Sequence, residues 1–167
     1  LDFRDVNYVV VENALDFLQR WAFHHRLRFD QYPIIAITGS NGKTTTATLL
    51  SEVLKASGRS IFLGGNIGLP FCEMLLSEKK FDYAILELSS FQLDTTTSLK
   101  AKVAVLLNLS EDHMDRYTNF QNYCQSKQKI FQQAAHLVFN YDDQLTYPIT
   151  EGNNKLPFSL ISTGDED

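Results

Sequence analysis

The chain has 167 residues, 44% of them apolar and 21% charged, with 15 basic against 20 acidic side chains and a net charge of −5. That length fits one domain whose folding can bury roughly 70% of the unfolded surface, and the acidic balance excludes a general nucleic-acid binder, which needs a positive surface. No apolar run approaches the roughly 20 residues of a membrane helix, and two cysteines, Cys72 and Cys124, are too few for a disulfide framework, which favours a reducing compartment.

The chain opens Leu1-Asp2-Phe3-Arg4, with no Met and no signal-peptide pattern, so a piece cut from a longer cytosolic protein is expected. Residues 6–11 read as an apolar run, and residues 13–25 as an aromatic-rich helical segment carrying Leu15, Phe17, Leu18, Trp21 and Phe23. Residues 1–31 are therefore expected to be a connector or the tail of a preceding N-terminal domain. Further on, apolar runs at 34–38, 61–63, 83–88, 103–109 and 137–140 alternate with segments of helical period. The runs are rich in Val, Ile and Leu with little alternation, as strands buried on both faces require. Residues 43–57 predict a helix stopped by Gly58, and residues 120–135 predict another. The implied fold is α/β, a mostly parallel sheet with helices on both faces, over residues 32–167. The end, Gly152-Asn153-Asn154 and then Gly164-Asp165-Glu166-Asp167, is turn-rich, and no closing element is expected.

The sharpest motif lies at the end of the run 34–38: Thr38-Gly39-Ser40-Asn41-Gly42-Lys43-Thr44-Thr45. A buried strand enters a glycine-containing turn and a helix opens at Lys43. Backbone N–H groups can close on phosphate oxygens there, and the helix adds the positive end of its dipole. Lys43 would meet the β- and γ-phosphates, and the Thr44 hydroxyl would ligate Mg²⁺. The strict phosphate-loop pattern has a glycine where this chain has Ile37.

The loop Gly64-Gly65-Asn66-Ile67-Gly68 signals a close backbone approach or a tight turn, with the turn as the simpler reading. Glu87 ends an apolar run, where a carboxylate is costly without a partner such as Mg²⁺, unless it faces solvent at a sheet edge. Ser89 and Ser90 follow it. At the end of the next run stand Asn108-Leu109-Ser110-Glu111-Asp112-His113-Met114-Asp115, a second group of metal- and proton-competent side chains. Asp112 and Asp115 taken alone read as cap or turn residues. In the segment 120–135, Phe120, Tyr123, Cys124, Ile130, Phe131 and Ala134 form one stripe. Lys127 falls within that stripe, whereas Lys129 falls off it and is expected to be solvated. A buried Lys127 would have a lowered pKa and react as an amine with an electrophile such as CO₂. Periodicity by itself favours the alternative, a stem packed on the core with its ammonium snorkelling to water.

Together these segments resemble the Mur ligase family of peptidoglycan synthesis. The Gly-Lys-Thr loop is common to that family and to folylpolyglutamate synthases. The strings Glu87-Leu88-Ser89-Ser90-Phe91-Gln92-Leu93 and Glu111-Asp112-His113-Met114-Asp115-Arg116-Tyr117, with Tyr123, Lys127, Ile130, Phe131, Asn140, Asp142 and Asp143, are most similar to its D-glutamate-adding branch. The resemblance covers about residues 32–148 and implies the central ATP-binding domain of a three-domain cytoplasmic bacterial enzyme. It implies that this domain is incomplete at its C-terminal end and inactive by itself.

The implied reaction is ATP-dependent amide formation between UDP-N-acetylmuramoyl-L-alanine and D-glutamate through an acyl phosphate, for the cell wall. By the same resemblance, Gly39, Ser40, Asn41, Gly42, Lys43, Thr44 and Thr45 hold ATP. Thr44 and Glu87 hold one Mg²⁺, and His113 and Lys127, the latter as a CO₂-derived carbamate, serve a second. Lys43, Glu87, His113 and Lys127 are the implied catalytic residues. Asn66, Ser89 and His113 are the implied contacts to the UDP-sugar. Neither nucleic acid nor membrane is an expected partner, and a monomer is expected. Two other readings stay open: another Mur ligase or a folylpolyglutamate-synthase-like ligase, and a nucleotide-binding module without ligase activity.

Overall fold

The structure, a computed structural model, describes residues 10–14, 17, 20, 32–77, 79–132, 134–150 and 154–159. The chain divides into two compact units, residues 1–31 and 32–167. Within the first, Ala14, Phe17 and Arg20 are helical, and Phe17 N–H donates to Asn13 O at 3.0 Å. The rest of the predicted segment 13–25, and residues 6–9 of the predicted strand, lie outside the described residues. Val10 and Val11 are described and belong to no strand.

The second unit alternates strand and helix: β1 (Ile34–Thr38), α1 (Lys43–Ala56), β2 (Ile61–Gly65), α2 (Phe71–Leu76), β3 (Tyr83–Glu87), α3 (Ser90–Thr95) and β4 (Val103–Leu106). Then come α4 (Phe120–Gln128), a 3-10 turn (Lys129–Phe131), β5 (His136–Asn140), a second 3-10 turn (Gln144–Thr146) and β6 (Asn154–Phe158). The six strands pair in the order β2-β3-β1-β4-β5-β6, and every pair is parallel. No helix among the described residues is long and apolar enough to cross a membrane.

Alternation along the strands sorts their side chains onto two faces. Ile37 and Ile85 pack with Ala47, Leu50 and Leu54 of α1. On the other face, Ile34, Ala36, Leu86, Ala104 and Leu106 pack with Leu93 of α3 and with Tyr123, Cys124, Ile130 and Phe131 of α4 and its 3-10 extension. Helices on both faces explain why the strands read as continuous apolar runs rather than as alternating ones.

Several element ends differ from the sequence reading. The run 103–109 stops as a strand at Leu106, because Asn108 leaves the ladder to bond the neighbouring loop. The helix predicted over 120–135 ends at Gln128 and tightens into a 3-10 turn. The chain must reverse there to enter β5, where Ala135 and His136 donate to Ala101 O and Lys102 O at 3.1 Å each. The turn-rich end does supply an element: β6 pairs with β5 from His136↔Asn154 to Asn140↔Phe158. Its shortness, its exposure and Pro157 hid it, and Pro is tolerated in such an outer strand. Lys129 is exposed in part as expected, with its ammonium 2.6 Å from Asp94 Oδ1.

Candidate active site

The carboxyl ends of β1, β3 and β4 lie side by side in the sheet, and the ladder continues past them. Leu88 N–H donates to Ile37 O at 2.9 Å and Leu107 N–H to Thr38 O at 3.0 Å, while the buried Thr38 hydroxyl donates to Leu88 O at 2.7 Å. Ligands of open α/β sheets bind at such a crest, where connections leave in opposite directions.

The loop 39–42 is held by backbone shape and by the β4 loop. Gly42 caps α1 in the left-handed region at φ 77°, and a Cβ on Gly39 would sit 3.0 Å from Leu107 Cβ. Ser40 N–H donates to Asn108 O at 3.0 Å, and Asn41 N–H to Asn108 Oδ1 at 2.9 Å. Asn108 Nδ2 returns a bond to Asn41 O at 3.1 Å. The buried Ser40 hydroxyl bonds Ser110 O and Ser110 N–H, both at 3.0 Å, and meets the Tyr123 hydroxyl at 3.0 Å. The Lys43 ammonium bridges Gly39 O at 2.9 Å and Ser40 O at 3.1 Å.

Glu87 is 2% exposed at the end of β3 and does not face solvent. Its Oε2 accepts the Thr44 hydroxyl at 2.8 Å and its Oε1 accepts Asn66 Nδ2 at 3.1 Å. Among the described residues no ion pair neutralises this carboxylate, so a buried charge is left with neutral donors only. The glycine loop explains how Asn66 arrives: Asn66 N–H donates to Glu87 O at 2.8 Å. A Cβ on Gly65 (φ 107°) would lie 2.3 Å from that same carbonyl, and one on Gly64 would lie 2.1 Å from Leu69 O. These glycines serve a close backbone approach, the less simple of the two sequence readings. Gly65→Ala should therefore cost about 2 kcal/mol or more in stability, measured by urea unfolding, and should displace Glu87.

Lys127, from the opposite face of the sheet, is 2% exposed, which corrects the snorkelling reading. Its Nζ lies 4.9 Å from the centroid of the Tyr123 ring, and no hydrogen bond to it is found among the described residues. Burial pushes its pKa down to about 8, helped by the nearby Lys43 charge, while Asp112 and Glu87 pull it up. At neutral pH roughly a tenth of such an amine is unprotonated, against far less for a solvated lysine. Lys43, Glu87 and Asp112 are thus each near enough for their charge to act on Lys127, which periodicity along one helix could not show.

The remaining predicted residues sit less centrally. His113 is half exposed, 3.4 Å from Asp112 Oδ2, at a positive φ of 54°. Its ring centroid is 5.2 Å from that of Phe91. Neither a hydrogen bond nor an ion pair joins His113 to Lys127 among the described residues. Asp115 falls inside the turn that Arg116 N–H closes on His113 O at 2.9 Å. Ser89 is the N-cap of α3 in a capping box with Gln92. Thr45 is exposed in the first turn of α1. Sequence reasoning missed two participants. Phe91 stacks on Tyr117 at 5.9 Å and carries Arg116 at 4.7 Å. Asn108 could have been found as the one amide side chain within the run 103–109.

The sequence model of the Mur ligase middle domain matches residues 37–167. The chain belongs to the Mur ligase family. Among curated Mur ligases it is 53% identical over 117 residues to the UDP-N-acetylmuramoylalanine-D-glutamate ligase of Haemophilus ducreyi, covering 70% of this chain and 26% of that one. To the ligase of the same name from Vibrio campbellii it is 54% identical over 139 residues, covering 80% and 31%. This member of the family thus spans under a third of the length of these relatives. Among solved structures it is similar to MurF from Acinetobacter baumannii, with TM-score 0.72 and 25% identity over 94% of this chain and 38% of that one. It shares its fold with the apo folylpolyglutamate synthase of L. casei, with TM-score 0.63 and 18% identity over 90% of this chain and 51% of that one.

Proposed function

We propose that this chain supplies the phosphate-handling core of a ligase that joins D-glutamate to UDP-N-acetylmuramoyl-L-alanine at the expense of ATP. The observation that carries the reading is the bond from Thr44, next to Lys43 in the loop, to the buried Glu87 at the crest of the sheet, with Lys127 near enough to feel the charges of Lys43 and Glu87. Identity near one half to ligases of that name supports the choice of substrates. In this reading the alanine carboxylate oxygen attacks the γ-phosphorus of ATP and ADP leaves. The D-glutamate amine then adds to the acyl phosphate carbonyl, phosphate departs, the amide forms and the amine loses a proton.

Phosphoryl transfer of this kind needs positioning and charge neutralisation more than covalent chemistry from the protein. The N–H groups of Gly42, Lys43, Thr44 and Thr45 open α1, where a helix supplies no acceptor of its own, and can close on phosphate oxygens. The Lys43 ammonium exchanges the carbonyls of Gly39 and Ser40 for the β- and γ-phosphates.

A hard cation fits beside Thr44 and Glu87, since both offer oxygen and no ion pair to the carboxylate is found among the described residues. Among the described residues no three His, Cys, Asp or Glu side chains cluster, which suits Mg²⁺ held by one carboxylate, water and nucleotide phosphates. Bound there, it would neutralise charge on the transferring phosphoryl group. Lys127 suits conversion to a carbamate: its neutral amine adds to CO₂ and releases a proton, turning a cation into an oxygen donor. His113 is the proposed companion of that carbamate, and Asn66, Ser89 and His113 are the proposed contacts to the UDP-sugar.

Phosphate release from Mg-ATP by the full-length protein tests the whole reading. It should require both UDP-N-acetylmuramoyl-L-alanine and D-glutamate, with L-glutamate inactive. Release with a folate and L-glutamate instead would move the protein to the folylpolyglutamate synthases. No release with any acceptor would leave a nucleotide-binding module.

A further inference from the structure

We infer that Asn108 is a positioning residue for the nucleotide: it folds the phosphate loop into the one shape in which the N–H groups of Gly42–Thr45 face the phosphates. The inference rests on the phosphate-site reading above and adds to it a residue outside the loop. Asn108 makes three bonds to two consecutive loop residues. Its backbone carbonyl takes Ser40 N–H at 3.0 Å, its Oδ1 takes Asn41 N–H at 2.9 Å, and its Nδ2 donates to Asn41 O at 3.1 Å.

Two consequences follow from the geometry. The N–H groups of Ser40 and Asn41 are already used, so they are withdrawn from phosphate binding. That narrows the grip of the loop to the four donors at the start of α1, where the helix dipole also acts. The side-chain pair on Asn41 also holds the peptide that precedes Gly42, the residue whose left-handed φ of 77° turns the chain into α1. An amide suits the position because it presents an acceptor and a donor side by side, matching the N–H and C=O of one residue. Aspartate keeps the shape and the acceptor, but turns a lone pair toward Asn41 O in place of a donor.

The test uses the full-length protein, titrated calorimetrically with a non-hydrolysable ATP analogue plus Mg²⁺ and, separately, with UDP-N-acetylmuramoyl-L-alanine. Asn108→Ala should raise the Kd for the ATP analogue about tenfold or more while the Kd for the nucleotide-sugar stays within about twofold. In turnover the same split should appear as a raised KM for ATP with the KM for the nucleotide-sugar within about twofold of the parent's. Asn108→Asp, equal in size, should weaken the ATP analogue at least as much and carries the test if the alanine variant does not fold. Unchanged affinity for the ATP analogue in either folded variant overturns the inference. So does a parallel loss of both affinities with a lowered Tm, which would mean a structural role alone. Failure of the unsubstituted protein to bind the ATP analogue would instead overturn the phosphate-site reading itself.

Discussion

Replacing Lys43 with alanine should lower kcat of the full-length protein by about a thousandfold or more, because in the proposed reaction it removes the cation that meets the transferring phosphoryl group. The ammonium holds Gly39 O and Ser40 O at 2.9 and 3.1 Å, so it also draws the loop together. Charge on the γ-phosphate grows less tolerable without a counter-charge beside it. Lys43→Arg keeps a charge but not a point charge small enough to sit within the loop. It should recover little of the lost rate. Single-turnover phosphate release, compared with the parent at saturating substrates, gives the answer, and near-normal turnover by Lys43→Ala would remove the phosphate-loop assignment.

Substitution of Lys127 should separate activity from stability in opposite directions. Lys127→Met keeps the length and apolar character of the stem while removing a buried cation. A lysine pKa lowered from 10.5 to about 8 corresponds to a penalty on the charged form on the order of 3 kcal/mol. The methionine variant should thus be as stable as the parent at neutral pH or more so, yet lose about a hundredfold or more in kcat. Lys127→Arg should lose as much activity, since a guanidinium neither gives up its proton nor forms a carbamate. Substantial activity in either variant would make Lys127 structural.

The pH dependence has a definite sign. Between about pH 8 and 10.5 the unfolded lysine binds the proton that the folded one has lost, so folding stability gains from this group as pH rises through that window. In CO₂-free buffer, where Lys127 stays an amine, urea midpoints of parent and Lys127→Met should therefore converge from pH 8 upward and stay apart below it.

Local sequence carried much of this molecule. The parallel sheet was legible because strands covered by helices on both faces need unbroken Val, Ile and Leu runs. The phosphate loop was legible because strand, glycine turn and helix start are consecutive in the chain. What failed was of a different kind. The strand β6 is short, largely exposed and interrupted by Pro157, so no buried-strand pattern marked it. The glycine loop read as a turn, because the carbonyl that Gly65 accommodates belongs to Glu87, on another strand.

The site shows the same division. Residue types and order by themselves determined the α/β class, the loop from Gly39 to Thr45 and the candidates Glu87, His113 and Lys127. Only the tertiary structure decided what those candidates face. Thr44 and Glu87 are 43 residues apart and share a hydrogen bond because β3 lies next to β1 in the sheet. Periodicity placed Lys127 on the packed face of α4 but could not say whether a flexible stem carries its ammonium out to water. Its burial, 2% exposed with the ammonium over the Tyr123 ring, settles that. Asn108 gains its meaning only from Asn41, 67 positions earlier. Side-chain pattern records which face of an element is buried, whereas a charge's partner and its pKa depend on strand order, which no single segment encodes.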